Sequence, residues 1–576
     1  MLKAIRIGNF KAFAETQRIP IRPLTLIYGA NSSGKSSALH SLLLARHAQE
    51  SQEDSGLDVH KTAIGGDSVD LGGFRQFVYN RNISKRMEWS AELNTSSFTG
   101  RLAQLLAPVA KITVSIEIGL PLVEEMKEQE SIDPRTDKKI LIKVPSGNLV
   151  PTGNPEVLSY VLLGDEAPLL QMSKRRDSRL QLDRLNHEHV VFREVLKAIV
   201  QSSTTTEELH PNDYEGLDNA ISEIVPDITA AMGNLLPQGL IKSDAYSSEQ
   251  QPTLFPISRG RRTEDLAAAV RFFVPRTVDE LIRGISHLIT QELTKLQYLG
   301  PLRSYPPRHL AFSQYHDPNW FSGGGYAWDV VRRDTRVRDL VNTWLSAQGR
   351  LQTPYELRVR HLLTVDDLKS NYEEKIEEIE NRFTREGEDP TAGTEGNPQM
   401  DLFGDVYGVL REIEKQEERL SDIQELNLID KRSGTPVSHR DVGIGVSQVL
   451  PILVGAFASQ NKIIAIEQPE IHLHPALQAD LGDVFIESAL GEGKNRFLIE
   501  THSEHLLLRI MRRIRETSSG KLPEGCIPIS PDDVMVLFVA PDGTQSVIHE
   551  MPLDKRGDLI KPWPGGFFEE DFRELF

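Results

Sequence analysis

The stretch Ile21 to His40, IRPLTLIYGANSSGKSSALH, constrains this chain more than any other. An apolar run, Leu24 to Tyr28, meets Gly29, Ala30, Asn31, Ser32, Ser33, Gly34, Lys35, Ser36 and Ser37, and the helical apolar pattern Ala38, Leu39, Leu42, Leu43 follows. Buried strand, GxxxxGK[ST] loop and helix occur in the order that phosphate binding requires. The glycines let backbone N–H groups curl around phosphate oxygens, and the helix N-terminus adds partial positive charge. Lys35 is then expected to reach the terminal phosphates and Ser36 to offer its hydroxyl to Mg²⁺, which makes the segment a nucleoside triphosphate site. A Gly/Ser turn matching the pattern by chance is the competing reading, and the flanking strand and helix argue against it.

At 576 residues the chain is too long for one simple core, so two or three structural units are expected. No stretch approaches the roughly 18 consecutive apolar residues of a membrane span, and MLKAIRIGNF lacks a signal-peptide core. A single cysteine, Cys526, excludes an internal disulfide and suits a reducing cytoplasm. The net charge of −18 gives no general attraction to DNA, so any such contact must come from local basic patches. Lys174-Arg175-Arg176 with Arg179, Arg259-Arg261-Arg262, Arg332-Arg333 with Arg336 and Arg338, and Arg512-Arg513-Arg515 are the candidates; each reads equally as a solvated or ion-paired face.

Along the chain, alternation in Leu2, Ala4, Ile5, Ile7 and then Ile19, Ile21 predicts a hairpin leading into the P-loop strand. Asn9-Phe10-Lys11 with Phe13 either approaches an adenine ring or packs within that hairpin. Gln76, after Ser68 to Arg75, is a candidate polar group near the γ-phosphate and its metal. Residues 81–295 read as an inserted α/β lobe with strands at Trp89 to Leu93 and Ile112 to Ile118. Helices are expected at 190–201, 216–235 and 277–297, with loops at 202–210 and 243–252. Chemistry resumes at Leu296 to Arg303, where Arg303 and Arg308 either reach phosphate or stay on the surface. A Gly-rich turn, Ser322 to Gly325, precedes an amphipathic segment from Val330 to Leu345. Charged helices at 366–384 and 407–423 flank a polar joint, and Leu426 to Asp430 with Thr435 to Ser438 reads as a hairpin.

Four elements follow at a distance from the P-loop. Gly443, Gly445, Ser447 and Gln448 open the helix Val449 to Ala458, an anion-binding arrangement. The strand Lys462 to Ile466 ends in Glu467-Gln468-Pro469-Glu470, with carboxylates at the carboxyl end of a buried strand, where a Mg²⁺-nucleotide belongs. Ile471-His472-Leu473-His474-Pro475 comes next, and the strand Phe497 to Glu500 ends in Thr501-His502-Ser503.

In this order the motifs resemble the ABC-type ATPases of the SMC/RecF/OLD group, over roughly 1–80 and 296–576 without the helical insertion. The ending Trp563-Pro564-Gly565-Gly566-Phe567-Phe568 is similar to that of a bacterial subset that includes ATPases of anti-phage systems such as Septu. The resemblance implies an α/β fold: an ABC-type head split into two halves, a mixed sheet flanked by helices, with an inserted α/β lobe and a short helical insertion. Its expected divisions are 1–80 (P-loop half), 81–295 (lobe), 296–365 (return to the head), 366–425 (helical insertion) and 426–576 (signature half and tail). It implies ATP and Mg²⁺ as cofactors and a homodimer or larger assembly in which two heads sandwich two nucleotides. Ser447 of the signature then meets the γ-phosphate in trans, Glu467 holds Mg²⁺ through water, and His502 is the switch histidine. A separately encoded effector nuclease is the implied partner.

The departure from the family is Gln468, where many relatives carry a glutamate that polarises the attacking water. An amide orients water without accepting its proton, and a general base is typically worth 10²–10⁴-fold. Either Glu470 takes over or hydrolysis is slow, and slow hydrolysis is the preferred expectation. Glu470, His472 and His474 have metal-like spacing but read better as the loop after the Walker B strand. Trp563, Phe567, Phe568, Phe572 and Phe576 read as core packing or as a docking surface. Two other functions stay open: a RecF-like DNA-repair factor, and a self-contained OLD-type nuclease, whose acidic Toprim pattern the segment after His502 does not supply.

Overall fold

The computed structural model describes residues 1–52, 56–132, 139–175, 179–195, 219–241, 262–303, 319–347, 350–362, 423–437 and 444–568. Strands β1 (Leu2–Gly8) and β2 (Gln17–Pro20) form the expected hairpin and lead into β3 (Leu24–Gly29), every residue of which is buried. The P-loop then opens α1 (Lys35–Glu50), followed by the short α2 (Phe74–Phe77). Next come β4 (Met87–Asn94), α3 (Gly100–Leu106) and β5 (Lys111–Gly119). A long hairpin, β6 (Leu122–Ile132) with β7 (Lys139–Pro151), precedes β8 (Glu156–Gly164), β9 (Ala167–Lys174) and β10 (Leu180–Leu185). The lobe closes with β11 (Thr229–Met232), β12 (Pro237–Leu240) and the long helix α4 (Arg262–Thr294).

The second half begins with β13 (Leu296–Leu299), α5 (Gly325–Arg333) and α6 (Thr335–Ser346). Then follow β14 (Tyr355–Leu362), β15 (Ile423–Asp430), β16 (Thr435–Val437) and α7 (Ile444–Ala458). Strand β17 (Ile463–Glu467), α8 (Pro475–Leu490), β18 (Arg496–Glu500) and α9 (Glu504–Ser518) carry the distal motifs. Strands β19 (Val534–Asp542) and β20 (Gln545–Glu550) finish the sheet.

Two large sheets organise these elements. A nine-stranded antiparallel sheet runs β12-β11-β10-β9-β8-β5-β4-β1-β2, and a six-stranded sheet runs β13-β17-β18-β3-β19-β20. In the second sheet every neighbouring pair is parallel except β19 with β20. Its strands alternate between two cores, as a period of two requires. Ile27, Ala465 and Leu498 join the core shared with the nine-stranded sheet, α1 and α4. Leu26, Tyr28, Ile464, Ile466 and Ile499 face the core built with α5 to α9. A sheet buried on both faces reads as continuous apolar runs, which is why β3, β17 and β18 were visible in the sequence.

The fold is therefore α/β with a mixed sheet flanked by helices, as expected, and two local expectations are corrected. The segment 216–235 is not helical to its end: a tight turn at Val225–Asp227 ends the helix so that β11 can pair with β10, and Gly233, its N–H bonding Leu236 O, turns the chain into β12. The amphipathic run 330–345 is two helices, because the Asp334 carboxylate accepts from Val337 N at 3.1 Å and starts a new one. The charged helices at 366–384 and 407–423, and the loops at 202–210 and 243–252, lie outside the described residues.

Candidate nucleotide site

Backbone conformation sets the P-loop. Gly29 has φ 148°, and a Cβ there would lie 2.4 Å from Val539 O. Gly34 has φ 91°, and its added Cβ would meet Ala12 Cβ at 2.4 Å. Gly34 starts α1 in a left-handed conformation with no side chain capping the first turn, the condition under which an anion takes the capping role. Ser32 also adopts positive φ, 62°. Lys35 is buried and folds back on the loop, donating to Gly29 O at 3.1 Å and Ala30 O at 2.9 Å. Burial lowers the Lys35 ammonium below its ordinary range, opposed by Glu500, Glu470 and Glu467. The observed strand, loop and helix thus fit the triphosphate group at Gly29 to Ser37.

Strand order brings distant carboxylates to this loop. Strand β18 lies between β3 and β17, and the register pairs Glu467 with Glu500 and Glu500 with Ile27. Glu500 Oε2 accepts from Ser36 Oγ at 2.7 Å, across 464 residues of sequence, and its Oε1 lies 3.9 Å from Lys35 Nζ. Burial and the neighbouring Glu467 push the Glu500 carboxyl up to about 7. Glu467 sits one strand further out, where its Oε1 accepts from Tyr298 OH at 2.9 Å and lies 3.2 Å from His40 Nε2. Glu470 Oε2 accepts from Thr501 Oγ1 and Oε1 from His502 N, both at 2.7 Å. Burial raises the Glu470 carboxyl despite these bonds. His502 is lowered by burial and then by the Lys35 charge, and its Nε2 has no partner among the described residues.

Gln468 has φ 45°, in the left-handed region that a glutamine rarely enters. Two hydrogen bonds hold it there: its N–H donates to Glu500 O at 2.7 Å, and its carbonyl accepts from Arg303 Nη2 at 3.3 Å. The same Nη2 donates to Glu467 O at 2.9 Å, and Gln448 Nε2 donates to Arg303 O at 3.2 Å. Arg303 is thus buried between the signature helix and β17, and the surface reading for it is wrong. Burial lowers its guanidinium to about 10.

The structure differs from several expectations. Ser447 is 1% exposed and Gln448 4%, so the signature serine is buried within its own chain. A Cβ on Gly445 would lie 2.9 Å from His472 O, which puts the loop after β17 against the start of α7. Gly443 and Arg308 lie outside the described residues. Gln76 is exposed on α2, with Gly72 beneath its side chain, and has no hydrogen bond to the P-loop among the described residues. Phe10 and Phe13 are fully buried, with the Phe10 ring 5.5 Å from Phe77, so they pack the hairpin and leave no face for adenine. His474 caps α8 through Nδ1, which accepts from Ala476 N at 3.3 Å. Trp563, Phe567 and Phe568 pack around Tyr28 and Phe538 at 4.7–6.0 Å, as core packing requires; Phe572 and Phe576 lie outside the described residues.

Most described basic-patch members bond within the chain. Arg512 and Arg513 meet Glu516, Arg513 also meets Asp483, and Arg515 meets Asp558. Lys174 pairs with Glu156, Arg175 with Asp183, Arg332 with Asp329 and Arg336 with Glu492. No helix among the described residues is long and apolar enough to cross a membrane.

Sequence reasoning missed His40, read Lys11 only as part of the hairpin or as near an adenine ring, and gave no role to Tyr298 or Glu500. Lys11 Nζ lies 2.7 Å from His40 Nδ1, so a lysine backs the imidazole that meets Glu467 Oε1, and the Tyr298 phenol meets the same oxygen directly. His40 follows Ser36 by one helical turn, a spacing that places it on the same face of α1. Glu500, a carboxylate ending a second buried strand, carried the same signal as Glu467.

The geometry is that of a P-loop with strand-end carboxylates beside it, and residues 337–507 match the family model of an AAA ATPase domain. Residues 529–576 match a second model, a protein of unknown function termed DUF3696. Among solved structures, the chain is similar to an Smc head bound to the C-winged helix domain of ScpA. That match has 10% identity and a TM-score of 0.33, over 96% of this chain and 99% of that one. An Smc head with an extended coiled coil bound to the C-terminal domain of ScpA, from Pyrococcus furiosus, gives 11% and 0.32 over 100% and 98%. The SMC head domain from Thermotoga maritima gives 9% and 0.31 over 96% and 99%. TM-scores this low carry no argument about activity or partners. No curated protein is a detectable sequence relative.

Proposed function

We propose that the chain is an ATP-binding, slowly hydrolysing ABC-type ATPase that closes as a homodimer or larger homo-oligomer around nucleotide. In this reading it regulates a separately encoded effector nuclease in anti-phage defence. The observation that carries the nucleotide assignment is the meeting of Lys35 and Ser36 with the carboxyl ends of β18 and β17. The defence role and the effector rest on the resemblance of the motifs and of the Trp563 to Phe568 tail.

The first-turn amides of α1 and Lys35 would bind the phosphates, and Ser36, with Glu467 through water, would hold Mg²⁺, whose chemistry there would be to neutralise negative charge on the phosphoryl group. Gln468 orients water without taking its proton, His502 approaches the terminal phosphate, and Glu470 keeps the His502 backbone in place. Basal turnover is therefore weak, and a rate of tens per second for the isolated protein contradicts the reading. Sandwiching also requires the start of α7 to be uncovered, since Ser447 is buried.

The test is ATP-dependent mass, measured by light scattering on the parent, Lys35→Ala and Ser447→Arg. The parent is expected to assemble with ATP and both variants to remain small. Assembly of both variants like the parent removes nucleotide sandwiching as its cause.

A further inference from the structure

Among the described residues, the side chain bonded to Ser36 Oγ is Glu500, whereas Glu467, the residue that the motif pattern marks for the cation, is turned toward Tyr298 and His40. We propose that Glu500 is a ligand of the divalent cation that accompanies the nucleotide, sharing it with Ser36 at the mouth of the P-loop. The proposal rests on the nucleotide-site reading above and adds a carboxylate to it.

Three observations support it. Strand β18 is the immediate neighbour of β3, so Glu500 stands one strand nearer the P-loop than Glu467 does, a difference of about 4.8 Å between adjacent strands. Two oxygens that bind one Mg²⁺ at about 2.1 Å and at right angles lie roughly 3 Å apart. Ser36 Oγ and Glu500 Oε2, 2.7 Å apart, need only a few tenths of an ångström to share an ion. Finally, Glu500 Oε1 lies 3.9 Å from Lys35 Nζ, the ammonium of the P-loop itself, so the carboxylate stands at the mouth of that loop. A divalent cation placed between Ser36 Oγ and Glu500 Oε2 would take both oxygens as ligands beside the lysine of the loop.

The experiment titrates a fluorescent ATP analogue into the full chain with Mg²⁺ and again in EDTA, for the parent, Glu500→Gln and Lys35→Ala. Glutamine keeps the shape and the acceptor for Ser36, and thermal melts verify that the variant folds. The parent is expected to bind more tightly with Mg²⁺. Glu500→Gln is expected to lose about tenfold or more of that enhancement, with affinity in EDTA equal to the parent's or better. Binding of Mn²⁺ with nucleotide, followed by electron paramagnetic resonance, should weaken in parallel. An unchanged or larger Mg²⁺ enhancement in Glu500→Gln overturns the assignment and leaves the nucleotide site standing. Parent-like binding by Lys35→Ala in both buffers instead overturns the nucleotide site itself.

Discussion

Replacing Glu500 by glutamine should make this protein more stable, by an amount that grows as the pH rises from about 4.5 to about 7. The carboxyl is held at about 7 in the folded chain, raised from 4.5 by burial and by Glu467. Below the unfolded value both states carry the proton and the group contributes nothing. Between 4.5 and 7 the unfolded chain ionises while the folded chain stays protonated, and folding loses about 1.4 kcal/mol per pH unit. Above 7 both states are ionised and the loss levels off at roughly 3 kcal/mol. Glutamine keeps the bond from Ser36 Oγ and never ionises, so the variant recovers that loss. Urea unfolding followed by tryptophan fluorescence, in EDTA and without nucleotide, should show a gain of about 1 kcal/mol at pH 5.5 rising to about 3 at pH 8. An equal gain at both pH values, or a loss at pH 8, refutes the electrostatic account of this site.

The buried pair Glu292–Arg496 predicts the opposite slope. Glu292 Oε2 accepts from Leu2 N at 2.9 Å and from Arg496 Nη2 at 2.7 Å, tying β1, α4 and β18 together, and Arg496 with Lys295 holds its carboxyl down at about 2 against the cost of burial. Its contribution is present above about 4.5 and lost as pH falls toward 2, so Glu292→Gln should flatten the acid limb of a melting-temperature profile; an unaltered limb counts against the assignment. Behind Glu467, His40→Ala should lower kcat about 10–100-fold with a smaller change in KM. His40→Gln, whose amide reaches the place of Nε2, should restore most of the rate, and steady-state kinetics showing glutamine as damaging as alanine would rule out a positioning role.

Local patterns were legible wherever one segment carries its own physics. The apolar run into Gly29 to Ser36, the hairpin of Leu2 to Ile21 and the runs ending at Glu467 and Glu500 each announce an element, because period and glycine placement are local properties. What they face is not local. Glu467 and Glu500 look alike in sequence, and only the insertion of β18 between β3 and β17 decides that Glu500 touches Ser36. Arg303 reads as a surface residue until Glu467, Gln468 and Gln448 close around it.

By itself, then, the sequence determined the kind of chemistry: a phosphate loop, a lysine, a hydroxyl and several carboxylates at strand ends, since short-range backbone geometry dictates each of these. Tertiary structure alone decided which carboxylate stands at the loop, that Tyr298 and a His40 backed by Lys11 meet another, and that Ser447 lies buried. Those outcomes depend on sheet order and register between segments hundreds of residues apart, where pairing is chosen by the packing of whole faces rather than by neighbours along the chain.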